Sequence, residues 1–157
     1  MRRSLVSAGL LLAVAVVLSL SVSALADIPA DVDDFVNHLG FLGYESEEKD
    51  TYISITHEER TSFTLQGYEG GILLRGFYGG SEYSKTHKGE FLDITNELNV
   101  SATVMRAFVD SDGDLGLEAW YPSDYDKTRF AIFMEAWQSD TGTLLLSRYD
   151  DLADFLE

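Results

Sequence analysis

Apolar positions recur along this chain with two different periods, and the changes of period predict its elements. After Pro29, Val32, Phe35, Val36 and Leu39 follow the i, i+3, i+4, i+7 spacing of an amphipathic helix, which Gly40 and Gly43 end. His38 lies off that apolar face and is expected in solvent. Glu45 to Asp50 reads as a polar loop. Three alternating segments follow: Thr51 to Glu58 through Ile53 and Ile55, Ser62 to Tyr68 through Phe63 and Leu65, and Ile72 to Tyr78. Short connections, with Glu69-Gly70-Gly71 as a turn, make these an antiparallel meander. The period then lengthens. Phe91, Leu92, Ile94, Leu98 and Val100 predict a helix of about three turns from Gly89 to near Val100. Val104 to Val109 and Leu115 to Tyr121 are strands joined by Asp110-Ser111-Asp112-Gly113-Asp114, whose Asp-Gly pair suits a hairpin turn. Asp126 can cap a last helix carrying Phe130, Phe133, Met134 and Trp137. Ser139-Asp140-Thr141-Gly142 is a turn signal that kinks or breaks it, before helical spacing resumes through Leu145, Tyr149, Leu152 and Phe155 or Leu156. The order is α-β-β-β-α-β-β-α. It predicts an α+β fold, with helices packed on an antiparallel sheet of about five strands.

The first 26 residues carry a different signal. Met1-Arg2-Arg3 is a positive n-region, Leu5 to Val22 is an uncharged and almost wholly apolar or small run, and Ala24-Leu25-Ala26 is a small-x-small cleavage pattern. These features predict a signal peptide over residues 1–26 and one mature domain over residues 27–157, located in the periplasm or outside the cell. Removing the leader's two arginines from the chain's 11 basic residues leaves 9 against 27 acidic ones, a formal charge of −18. Such a surface repels phosphate backbones and anionic lipid, so neither nucleic acid nor a membrane is expected as a partner once the leader is cleaved. The chain has no cysteine, which excludes disulfides, thiol nucleophiles and thiolate metal sites.

Two runs carry a family likeness. One is Ile94-Thr95-Asn96-Glu97-Leu98-Asn99, a helix with Asn-x-x-Asn near its end. The other is Met105-Arg106-Ala107-Phe108-Val109-Asp110-Ser111-Asp112-Gly113-Asp114-Leu115, a strand running into an Asp-x-Asp-Gly turn. Together with the helix ending at Gly43-Tyr44 and the meander, they make Asp31 to Tyr149 resemble the YbjN domain family, regarded as bacterial sensory-transduction regulators. The resemblance implies a fold like that of the class I chaperones of type III secretion. Those are small α+β proteins that pair and hold an extended client segment. A leader would remove this chain from cytoplasmic clients, and Tyr121 to Tyr125 departs from the glycine-rich connection of many relatives.

Candidate chemistry is sparse. Asp110, Asp112 and Asp114, with Glu118 beyond, form the one cluster suited to a hard cation, but glycine stands fourth where an EF-hand loop wants it sixth. His57-Glu58-Glu59-Arg60-Thr61 opens like a zinc-protease helix and lacks the second histidine. His38, His57 and His87 are far apart in sequence, and no Gly-x-Ser-x-Gly elbow, phosphate loop or dinucleotide motif occurs. Lys85-Thr86-His87-Lys88 is the local basic patch of the mature chain. Tyr68, Phe77, Tyr78, Tyr83, Trp120, Tyr121 and Tyr125 gather near predicted strand ends and loops, the residue types that make protein-binding surfaces. Trp120 and Tyr121 are consecutive on a strand and must point to opposite faces. Tyr78, Tyr83 and Tyr121 are taken as the contact candidates.

The expectation is therefore an exported, non-enzymatic protein-binding or chaperone-like module that needs no cofactor. Its partner is a protein, and self-pairing into a homodimer is a further option. The alternative is a weak cation sensor built on the Asp110–Asp114 turn, and the third reading is a hydrolase of unrecognised type.

Overall fold

We describe a computed structural model, which covers Pro29 and residues 31–157. The predicted leader and its predicted cleavage point lie outside the described residues. Helix α1, Val32–Phe41, buries Phe35 and Leu39. It stops where Gly43 takes a φ of 89°. That conformation lets the Tyr44 and Gly43 N–H groups donate to the carbonyls of Leu39 and Gly40, each at 3.0 Å, which closes the helix end in a Schellman motif.

Six strands follow: β1 Glu45–Glu48, β2 Ile53–Thr56, β3 Phe63–Tyr68, β4 Gly71–Tyr78, β5 Arg106–Val109 and β6 Leu115–Tyr121. They form one antiparallel sheet in the order β1-β2-β3-β4-β6-β5. After the meander, the chain leaves through two helices, α2 Glu82–Thr86 and α3 Lys88–Ser101. It returns as β5 at the edge, and the aspartate turn folds β6 back between β5 and β4. The α+β architecture stands as read. The strand count is six rather than about five, because β1 occupies the stretch read as a polar loop. All four of its side chains are exposed, so backbone pairing with β2 makes it a strand and no alternation of apolar residues marks it.

Beyond β6 come α4 Lys127–Gln138, a π-helical turn Ser139–Leu144, and the short helices α5 Leu145–Ser147 and α6 Tyr149–Leu152. Asp126 caps α4 as expected, its carboxylate accepting from the Arg129 N–H at 2.8 Å. The kink or break predicted at Ser139–Gly142 takes the form of one widened turn that joins α4 to α5. Its Asp140 is buried and accepts from three successive backbone N–H groups, Thr103 (2.9 Å), Val104 (2.8 Å) and Met105 (3.0 Å). Pinning the loop between α3 and β5 in this way offsets the poorer geometry of a π turn.

One apolar cluster joins the helices to one face of the sheet. Phe35, Phe91, Phe130 and Trp137 from the helices pack with Ile55, Leu65, Leu74 and Leu117 from the strands, all with 1% exposure or less. Each such side chain contributes about 1.5–3 kcal/mol before its entropy cost. Both sheet edges are blunted. The acidic side chains of β1 line one. At the other, the Asn99 side chain donates to the Ala107 carbonyl (2.9 Å) and accepts from its N–H (2.7 Å), standing in for a neighbouring strand. No helix among the described residues is long and apolar enough to cross a membrane.

Candidate protein-binding face

Among the described residues, no helix packs on the second face of the sheet. Alternation along each strand sends Leu115, Leu117, Ala119 and Tyr121 into the core, and therefore Gly116, Glu118 and Trp120 to the other side. Cross-strand register sets the rows on this open face. Thr64 pairs with Arg75, Arg75 with Glu118, and Glu118 with Arg106, giving a polar row across β3, β4, β6 and β5. Arg75 Nε lies 3.3 Å from Glu118 Oε2, and Arg106 reaches the other oxygen of the same carboxylate. Two guanidinium groups on one carboxylate leave the row locally positive.

An apolar group stands on each side of that row. On one side Gln66 pairs with Leu73 and Leu73 with Trp120. The Trp120 ring meets Tyr68 edge-on at 6.1 Å, and its Nε1 donates to the Tyr68 carbonyl at 3.2 Å. Leu73 is 3% exposed yet lies outside the core cluster, sheltered on this face by its neighbours. On the other side Phe77 meets Phe108 edge-on at 6.1 Å. The Phe108 ring lies over Gly116, where a Cβ atom would come within 2.2 Å of it. Trp120 and Tyr68 are each 46% exposed and Phe77 55%. Rigid aromatic groups around an Arg-rich centre match the residue classes that dominate binding hot spots.

The three tyrosines chosen from the sequence do not converge. Tyr121 is a correction. It is 5% exposed and packs edge-on against Phe35, Phe130 and Phe133, so Trp120 is the member of that pair on the surface. Its parity with Leu115, Leu117 and Ala119 is the signal that tells the two apart. The Tyr121 hydroxyl is buried with no hydrogen-bond partner among the described residues. Tyr121→Phe should therefore leave the melting temperature unchanged or raise it. Tyr121→Ala should cost about 3–5 kcal/mol by opening a cavity. Thermal melts of the two variants check this. Tyr78 is half-buried at the far end of β4, its hydroxyl 2.8 Å from Thr61 Oγ1. Tyr83 sits on α2, stacked on His87 at 3.7 Å.

The aspartate turn is turned toward its own backbone. Asp110 Oδ1 accepts from the N–H groups of Asp112 (2.9 Å) and Asp114 (3.0 Å), and Asp114 Oδ1 accepts from the Gly80 N–H (2.8 Å). No three His, Asp or Glu side chains among the described residues are placed to share a metal ion. His38 is a second correction. It is partly buried, with Nδ1 3.0 Å from the Tyr125 hydroxyl and its ring 5.1 Å from Phe130. Burial, and then the nearby Lys127 charge, hold its imidazole below the ordinary histidine pKa. His57 accepts from the Glu59 N–H after β2, and His87 joins α2 to α3. The three histidines thus stand on separate elements. The sequence reading passed over Leu73 and Phe108, both at positions whose parity sends them to the open face.

The fold and this face define an open-faced α+β sandwich, with helices on one side of a six-stranded sheet and aromatic groups on the other. No family model and no curated protein match the sequence. The fold is similar to that in the crystal structure of YbjN from E. coli, described as a proposed transcription regulator. The likeness spans 80% of this chain and 95% of that one, with a TM-score of 0.63 at 14% identity. The chain therefore has a YbjN-like fold.

Proposed function

We propose that this chain is an exported member of the YbjN domain family. In this reading it works as a non-enzymatic binding or chaperone-like module and holds a protein partner on the open face of its sheet. The observation that carries the reading is that uncovered face, with Trp120, Tyr68 and Leu73 on one side of the Arg75–Glu118–Arg106 row and Phe77 with Phe108 on the other. Large aromatic side chains left in water by a domain with a complete core on its other side are best accounted for by a partner that covers them. The leader pattern of residues 1–26 supports export. The regulator role described for YbjN enters only as a role exercised through protein contacts, because a formal charge of −18 after cleavage opposes a phosphate backbone.

The test is partner capture from a periplasmic or culture-supernatant extract. The bait has Asp27 as its N-terminus, confirmed by intact mass, and oligomeric state is followed alongside. Tyr68→Ser with Trp120→Ser should lose at least about tenfold in affinity for the captured protein, a change of roughly 1.4 kcal/mol. Its circular dichroism and melting curve should stay close to those of the parent. Undiminished capture by the folded double variant would remove the sheet face from the reading. A mature protein that keeps Arg2 and Arg3 would mean an uncleaved anchor and would remove the cleaved, exported form from the reading.

A further inference from the structure

We propose that a trough where β4 meets the C-terminal helices is a second docking site, one that takes a cationic, amphipathic segment of another protein. Two adjoining cavities form it. One, of about 550 Å³, lies among Glu58, Glu59, Phe77 and Tyr78. The other, of about 330 Å³, is walled by Leu145, Tyr149, Leu152 and Leu156. Both are lined by Tyr78, Thr141 and Leu146, so the two share a wall. The floor belongs to the fold, since Leu152 is in the core. The rim does not: Leu146 on α5 is 73% exposed and Tyr149 at the start of α6 65%, and both line the second cavity. Apolar side chains held open above a preformed concavity suit apolar side chains of a partner.

Charge selects the occupant. Glu58 and Glu59 stand at one end and Glu157 at the other, and none of the three has an ion-pair partner among the described residues. Arg60 is the one basic residue in the lining. Its guanidinium donates to the Leu42 carbonyl at 3.2 Å and lies 5.9 Å from the centre of the Tyr44 ring. The trough is thus apolar in the middle and negative at both ends, on a molecule whose overall charge steers cations toward it. A segment with two or more apolar side chains between lysines or arginines complements it. A second copy does not. Lys49, Arg75, Lys85, Arg106, Arg129 and Arg148 are all paired with this chain's own carboxylates, and Lys88 donates to the Asp110 carbonyl at 2.8 Å. Lys127, which has no such partner among the described residues, is a single cation and cannot flank an apolar group at both ends. Two such acidic surfaces also repel.

This site meets the open sheet face at Phe77, and the experiment keeps the two apart through residues that belong to only one of them. The probe is a fluorescent synthetic peptide with a leucine face and lysine flanks, titrated by anisotropy into the mature protein. Two control peptides replace the lysines with glutamate or the leucines with serine. The lysine–leucine peptide should bind, and its affinity should fall as added salt shortens the screening length below about 10 Å. Leu146→Ser with Tyr149→Ser should weaken it at least about tenfold, and so should Glu58→Lys with Glu59→Lys. Tyr68→Ser with Trp120→Ser should leave it unchanged. Equal binding of the serine control would reduce the effect to charge alone and overturn the proposal, as would equal binding by both trough variants. A concentration-dependent dimer dissolved by Leu146→Ser would also overturn it, by making a second copy the occupant. Should the Leu146/Tyr149 variant fail to fold, the surface-charge variant Glu58→Lys with Glu59→Lys still decides the matter.

Discussion

Asp140→Ala should lower the stability of the folded domain by on the order of 3–5 kcal/mol, read as a drop of roughly 10–15 °C in melting temperature. The carboxylate is 3% exposed and takes hydrogen bonds from the N–H groups of Thr103, Val104 and Met105 at 2.8–3.0 Å. Hydrogen bonds to a charged acceptor contribute about 1.5–3 kcal/mol each, and a buried donor left without a partner costs about 1–3 kcal/mol. Met105 is itself buried, so water cannot freely replace the lost acceptor at its amide. The π turn that carries Asp140 would then have nothing to offset its weaker hydrogen-bond geometry. Asp140→Asn keeps one acceptor oxygen but sets an N–H₂ group against the same donors. It should fall between the two. Chemical denaturation of the three proteins checks the order, and an alanine variant as stable as the parent would mean that the loop between α3 and β5 holds without this anchor.

Much of the architecture was legible because burial and local period agree. Ile53 with Ile55, and Phe63 with Leu65, alternate as a half-buried strand must, and both pairs are in the core. Phe130, Phe133, Met134 and Trp137 keep helical spacing and all are buried on α4. The failures share a cause, which is that a partner distant in sequence decides the outcome. β1 has no apolar residue to bury, and only pairing with β2 makes Glu45–Glu48 a strand. Ser139-Asp140-Thr141-Gly142 has the composition of a turn, but hydrogen bonds to residues 103–105, more than thirty positions earlier, keep it helical. His38 looked solvated because α1 alone offers it nothing. Its neighbours Tyr125 and Phe130 come from the far end of the chain.

The candidate site was legible by residue type more than by position. Alternation states that Trp120 and Tyr121 oppose one another. It names the outward one only when the parity of Leu115, Leu117 and Ala119 is followed to the end of β6. The open face is harder still to read, because its rows depend on a strand order in which β6 lies beside β4 and not beside β3. That order brings Arg75 and Arg106, from strands separated by two helices, onto the single carboxylate of Glu118.

Gly80→Ala should cost about 3 kcal/mol, at the upper end of what overpacking usually costs. Gly80 sits where four parts of the chain meet. Its N–H donates to Asp114 in the aspartate turn, it bridges to Leu156 near the C-terminal end of the domain, and it follows β4 and precedes α2. An alanine Cβ there would lie 2.0 Å from the Gly113 carbonyl oxygen and 2.7 Å from Ser84 Oγ. The first contact is with backbone, so no side-chain rotation relieves it. Either the aspartate turn moves away, losing the Ser84 hydroxyl's hydrogen bond to the Gly113 carbonyl (3.0 Å), or the chain after β4 gives up its bridge to Leu156. Gly40→Ala supplies the contrast. That position is in α1, with nothing within 4 Å of the added atom, and alanine should stabilise the helix by about 0.5–1 kcal/mol. Melting curves of the two variants should therefore shift in opposite directions. A Gly80→Ala protein as stable as the parent would mean that the junction is looser than its packing indicates.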